Sequence, residues 1–364
     1  MNKQRFSCHA LLFFILMMFL MISGCAGGGE DATSSSGTND EAAYTQADLA
    51  GTWRIHKLAN DPQWIRETFE VNESGVVSCV SYEDSAGANV CPTSFALQWT
   101  VANGVITASG NNAGSDVHMT MTSNFELIAG TGTATDDSEE LLVAQRITEA
   151  TTYSESDIQD KTFVYHSLIV GNENKWVYGE GSTDSTGVVT IASETDPNGA
   201  VTPIAVGTLS VDSSGGVLLT GLASYKGFMS VDKKTIVGTF TDSNGDYQLM
   251  IIQITGKIYG AMPAGDWNSH GLVVGSSSYA PFWLHFTAAV DSTGTINFSN
   301  WEFSQPLAIF VVPDDAEISL SSSGVVTSDK MALHGQLSDD STFMVSTQTP
   351  YTDCYSLTVY TDVP

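Results

Sequence analysis

The chain has 364 residues with 13 Lys+Arg against 41 Asp+Glu, a formal net charge of −28. Charged residues are 15% of the chain, below the roughly 25% of an average soluble domain, while hydrophobic residues reach 42%. Such a chain can build a core, which excludes general disorder, and it lacks the basic footprint that nucleic-acid binding needs.

The N-terminus opens with Lys3 and Arg5, followed by the apolar run Ala10–Ile22. That run is 13 residues. A membrane-spanning helix needs about 20, so the run has the length of a secretory signal core. It ends in Ile22-Ser23-Gly24-Cys25. This resembles the lipobox of bacterial lipoprotein signal peptides: an aliphatic residue, two small residues and a cysteine.

The resemblance implies cleavage before Cys25 and acylation of its thiol, with several acyl chains giving stable anchoring in the cell envelope. Ala26 rather than Asp follows the cysteine, which by the same resemblance implies the outer membrane, on its periplasmic or surface face. Residues 1–24 are then a signal peptide, and 25–43 the lipidated cysteine with a Gly/Ser/Thr/Asp-rich linker. Cleavage leaves 11 Lys+Arg against 41 Asp+Glu, a mature charge of −30.

Three segments of about 105 residues follow: 44–150, 151–256 and 257–364. Their first lines are YTQADLAGTW, YSESDIQDKTF and IYGAMPAGDW. Each then has a histidine (His56, His166, His270) and a tryptophan (Trp64, Trp176, Trp283). An Asx-Gly turn comes next, in FEVNESGVV, GSTDSTGVV and AAVDSTGTI, and each unit closes with an apolar strand.

Within a unit the apolar period is two, and turn residues recur every 8–12 positions. Asn103-Gly104 is a two-residue hairpin signal. The fold class is therefore all-β, with three tandem antiparallel meanders of about eight strands each. Helix is expected for at most a turn or two, near Pro62–Glu67 or Asp157–Lys161. The first unit resembles bacterial lipocalin-like domains through Leu49, Gly51 and Trp53, TFEVNESGVV and WTVANGVIT. The third unit keeps Gly265 and Trp267, whereas the second has Asp160 and Phe163 near those places. The resemblance implies small closed barrels. The alternative is a single six-bladed β-propeller, with the loops at 83–92, 194–203 and 305–317 as blade crossovers.

Cys79 and Cys91 flank a small polar loop and form a candidate disulfide in an oxidising compartment. Cys354 is left over. His56, His166 and His270 would sit apart in separate barrels and face a common axis in a ring. His118 and His334 share another position, where the second unit has Lys226. Asp242-Ser-Asn-Gly-Asp246 lacks the full calcium-loop pattern, and its Asx residues are explained by turn capping. No metal site and no cofactor are expected. No G-x-S-x-G, H-E-x-x-H, P-loop or C-x-x-C-H motif occurs, so no catalytic residues are assigned and an enzyme is not expected.

Aromatic side chains on a β scaffold suit core packing or an apolar cavity. Trp64, Trp176 and Trp283 are the candidate ligand-lining residues, with Trp99 and Trp301 beside them. The sequence thus points to a lipid-anchored envelope protein of non-enzymatic role. It would bind a small apolar ligand or a partner protein. The alternatives are a structural or surface-interaction lipoprotein and, further off, a propeller-type hydrolase.

Overall fold

The computed structural model describes residues 44–61, 63–202, 207–222, 224–275, 280–305, 315–329 and 332–363. Cys25 and the segment around it lie outside them. After a single helical turn, α1 (Gln46–Leu49), the chain is almost entirely antiparallel sheet. The first repeat runs β1 (Gly51–Ala59), β2 (Gln63–Val71), β3 (Val76–Asp84), β4 (Leu97–Ala102), β5 (Val105–Ser109), β6 (Ser115–Met121), β7 (Leu127–Thr133) and β8 (Glu139–Ile147). β1 pairs with both β2 and β8, which closes a barrel.

The second repeat runs β9 (Thr162–Val170), β10 (Lys175–Thr183), β11 (Val189–Asp196), β12 (Gly199–Val201), β13 (Leu209–Val211), β14 (Gly216–Leu219), β15 (Lys226–Met229), β16 (Thr235–Thr241) and β17 (Tyr247–Thr255). Its nine strands form one curled sheet, and a bridge between Val188 and Thr208 joins the two flanks. This repeat is the middle barrel of the three. The third repeat runs β18 (Gly265–Gly275), β19 (Phe282–Val290), β20 (Thr295–Phe303), β21 (Asp315–Leu320), β22 (Val325–Ser328), β23 (Leu333–Leu337), β24 (Phe343–Tyr351) and β25 (Cys354–Asp362), again a closed barrel. The fold is therefore the barrel form of the expected all-β repeat, not a propeller. Each repeat curls on itself because its first strand bonds its last.

The turns explain why these strands form. Asn72, Asp184 and Asp291 each accept two backbone N–H bonds within their own turn, at 2.8–3.0 Å. The glycines that follow sit at φ of 84°, 78° and 90°, in the left-handed region that only glycine enters without strain. A tyrosine opens each repeat and lies against the glycine of a later hairpin. A Cβ on Gly104, Gly215 or Gly324 would stand 2.9, 2.9 or 2.7 Å from Tyr44, Tyr153 or Tyr259. The turn of helix expected near 62–67 is strand instead: residues 63–67 open β2, whose alternating side chains face the barrel and the seam in turn. At the other expected place a 3₁₀ turn spans Glu155–Asp157.

Each barrel has its own inner cluster, around Trp53 and Phe69, around Tyr165 and Phe240, and around Phe286 and Val326. A further cluster draws on all three repeats and includes Leu58, Leu141, Leu168, Ile251, Leu272 and Phe343. These are residues of the first and last strands of each repeat and of strands next to them. The barrels are thus packed face to face on a shared core, which makes residues 41–364 one compact unit.

Candidate functional site

The middle barrel encloses a cavity of about 610 Å³, within the roughly 300–1,000 Å³ of small-molecule sites. Phe163, Tyr165, Ile191, Leu219, Phe240 and Met250 form much of its wall. Lys175, Asp242 and Asn244 also line it. Two hydrogen-bonded polar pairs line it, Tyr165 with Glu194 and Ser167 with Gln248. Burial and the Glu194 carboxylate push the Tyr165 phenol up, so it stays protonated and donates.

The register shows how the space arises. Gly179 faces Tyr165 across β9 and β10, and the equivalent pair in the third barrel is Phe286 against Ser269. Ile191 pairs with Gly181 where Phe298 pairs with Ala288. Phe298 then joins a stack of aromatic rings in the third barrel. Phe286 lies 4.1 Å from Trp301 and 5.5 Å from Phe298, and Trp301 lies 5.8 Å from Phe303.

The three candidate tryptophans lie elsewhere. Each occupies an outward position opposite a leucine (Leu58, Leu168, Leu272) and bonds the next barrel. Trp64 Nε1 donates to Thr241 Oγ1 at 2.9 Å, Trp176 to Thr349 at 2.8 Å, and Trp283 to Thr133 at 3.0 Å. The order is first to second, second to third and third back to first, so the barrels form a closed ring. None of the three lines the middle cavity. Their indole N–H needs a buried acceptor, and a threonine of the neighbouring repeat supplies it.

The repeated histidines stand at the same seams. His56 Nδ1 meets Thr239 at 3.5 Å, His166 Nδ1 meets Thr347 at 3.4 Å, and His270 Nε2 meets Thr120 at 2.7 Å. Burial holds all three below the ordinary imidazole range, His166 down to about 3. They remain neutral and do not converge on one point. His118 and Lys226 meet acids of the preceding barrel, Glu302 at 3.2 Å and Glu83 at 2.9 Å, while His334 stacks on Tyr178 at 5.0 Å. At the seam of the third and first barrels, His285 stacks between His118 and His270, with centroids at 4.9 and 4.8 Å. Among the described residues no group of three His, Cys, Asp or Glu is placed to grip a metal ion. Asp242 Oδ1 accepts the N–H groups of Asn244 and Asp246 in its own turn, at 2.8 and 3.0 Å.

Cys79 and Cys91 are disulfide-bonded, with Cα atoms 5.9 Å apart, and Cys354 is a buried free thiol. The sequence pointed to an apolar cavity but not to its place in the middle barrel. Its one local signal is the pair Gly179 and Gly181 inside a strand, where backbone glycine marks a place that a side chain elsewhere must fill or leave open.

No family model matches the chain, and no curated protein matches it. Among solved structures it is similar to transferrin binding protein B from serogroup B Neisseria meningitidis, at 9% identity over 84% of this chain and 64% of that one, with a TM-score of 0.26. A mutant of transferrin binding protein B from Haemophilus parasuis gives 9% identity, 82% and 66% coverage and a TM-score of 0.28. The chain therefore spans less than two thirds of either protein. A protein of unknown function from the DUF3598 family of Nostoc punctiforme gives 10% identity, 87% and 96% coverage and a TM-score of 0.21. Likenesses this distant carry no inference about function.

Proposed function

We propose that this protein is a lipid-anchored envelope protein whose middle barrel takes up an apolar small molecule, without catalysis. The observation that carries the reading is the apolar cavity of about 610 Å³ at a place where the third barrel is packed with aromatic rings. An apolar interior of this size gains free energy by expelling water for an apolar ligand, at about 25 cal/mol per Å² buried. The cavity is formed by strands of the folded barrel, so part of the ordering cost of binding is met by the fold itself. Anchoring rests on the lipobox ending at Cys25 and on the flexible linker after it.

Native mass spectrometry of delipidated protein tests the binding. A retained apolar ligand, or saturable uptake of the probe N-phenyl-1-naphthylamine, is expected. If nothing is retained and no apolar probe binds, the reading fails. Anchoring has a separate test. The Cys25→Ser precursor is expected to stay unacylated, and normal lipid labelling of it would overturn the anchor.

A second reading, docking of a partner protein, is favoured by exposed side chains near the disulfide. Val76, Val80 and Val90 are 46%, 58% and 72% exposed.

A further inference from the structure

At three inward positions the first barrel carries charge where the other two carry none. Lys57, Glu67 and Glu140 line a cavity of about 280 Å³ in its interior. Strand pairing gives the equivalent residues as Ser167, Gly179 and Gln248 in the middle barrel and Gly271, Phe286 and Ser356 in the third. The same fold thus forms twice without this cluster. Burying charge is costly, and apolar replacements of a buried ion cluster are often neutral or stabilising. Stability therefore does not account for it.

The cluster sets one ammonium against two carboxyl groups. Lys57 Nζ lies 3.3 Å from Glu67 Oε2 and 3.9 Å from Glu140 Oε2. Glu67 is 7% exposed, and its Oε2 takes no hydrogen bond beyond that ion-pair contact. Burial works against a charged Lys57, yet the two glutamates outweigh it and hold the ammonium charged. Burial also raises Glu140, with Lys57 pulling it down and Glu67 and Asp136 pushing it further up. One ammonium faces two carboxylates across the cavity, so a second cation, or a proton on Glu140, is what balances the cluster. Around it stand the rings of Phe69, Tyr82, Phe95 and Trp99. Pro92, next to the Cys79–Cys91 disulfide, also lines the cavity.

We propose that the first barrel is a second binding site, for a small organic cation of the arylalkylamine class. Its ammonium would complete the charge between Glu67 and Glu140, and its ring would lie on the aromatic wall, where a cation also gains from the ring faces. The chain's net charge of −28 draws cations toward the protein before they find the site. The site is independent of the apolar reading of the middle barrel.

Calorimetry on the mature, disulfide-intact chain tests this with tryptamine, against indole-3-acetate as the same ring with the opposite charge. Tryptamine is expected to bind, and indole-3-acetate to show no binding. Glu140→Gln should weaken tryptamine about tenfold or more while leaving N-phenyl-1-naphthylamine uptake unchanged. A Glu194→Trp variant, which crowds the middle cavity, should bind tryptamine as the wild type does. The proposal is overturned if tryptamine does not bind, if indole-3-acetate binds as well, if Glu140→Gln binds with unchanged affinity, or if Glu194→Trp abolishes binding. Should Glu140→Gln not fold, the wild-type contrast between amine and carboxylate decides alone.

Discussion

The middle and third barrels share Trp-to-Thr seam bonds and turn chemistry, yet the middle is a nine-stranded curled sheet around a cavity and the third a closed eight-stranded barrel with aromatic rings stacked inside. The difference comes down to a few inward positions. Gly179, Gly181 and Ile191 stand where the third barrel has Phe286, Ala288 and Phe298. Tyr165 opposite Gly179 recovers part of the lost volume, since a Cβ at Gly179 would lie 2.4 Å from its ring. The rest remains as cavity. Repeats of one fold can therefore differ inside: one carries stacked aromatic rings and another keeps a cavity.

Breaking the filled barrel should cost the most. Phe286→Ala removes a side chain that is 3% exposed and is expected to cost about 3–5 kcal/mol, measured by urea denaturation. Ile191→Ala, at the wall of an existing void, should cost clearly less. Equal losses would contradict the contrast. Reducing the Cys79–Cys91 disulfide comes next. It closes a loop with a sequence separation of 12 and should cost about 2–3 kcal/mol, again by denaturation, with apolar-probe binding retained because the middle barrel is separate from it.

The seams give a pH prediction. His166 has its folded value depressed from 6.5 to about 3 by burial, with His334 adding to it. A depressed imidazole means that the unfolded chain binds the proton first. The stability is fully present above pH 6.5 and falls as pH drops toward 3, by up to about 1.4 kcal/mol per pH unit from this group. Glu126, raised to about 7 by burial and by Asp232 and Asp340, acts in the opposite direction as it gains a proton. The difference between wild type and His166→Asn isolates the imidazole. It should narrow on acidification, and a pH-independent difference would remove His166 from the account. Smallest is Thr349→Val, which deprives the Trp176 indole of its acceptor and should cost about 1–3 kcal/mol without changing probe affinity.

Much of the fold was legible because its signals are local. Period-two patterning, Asx-Gly turns such as Asp184–Gly187 and the recurring Tyr, His and Trp landmarks all act within a few residues of themselves. The roles of those landmarks were not legible. Trp64, Trp176 and Trp283 resemble cavity residues in sequence, because an aromatic side chain in a strand looks alike on either face. Only the ring, which sets each tryptophan against a threonine more than a hundred residues away, assigns them to seams. The place of the cavity was hidden for a related reason. It depends on Gly179 facing Tyr165 across two strands, a pairing that sequence spacing does not display.

The central claim is that apolar binding belongs to the middle barrel alone. The most direct test is titration of N-phenyl-1-naphthylamine into the wild type and into a double variant, Ile191→Phe with Glu194→Trp, that copies the filling of the third barrel. Saturable binding by the wild type and a loss of about tenfold or more in the variant are predicted. Unchanged affinity in a folded variant would contradict the account.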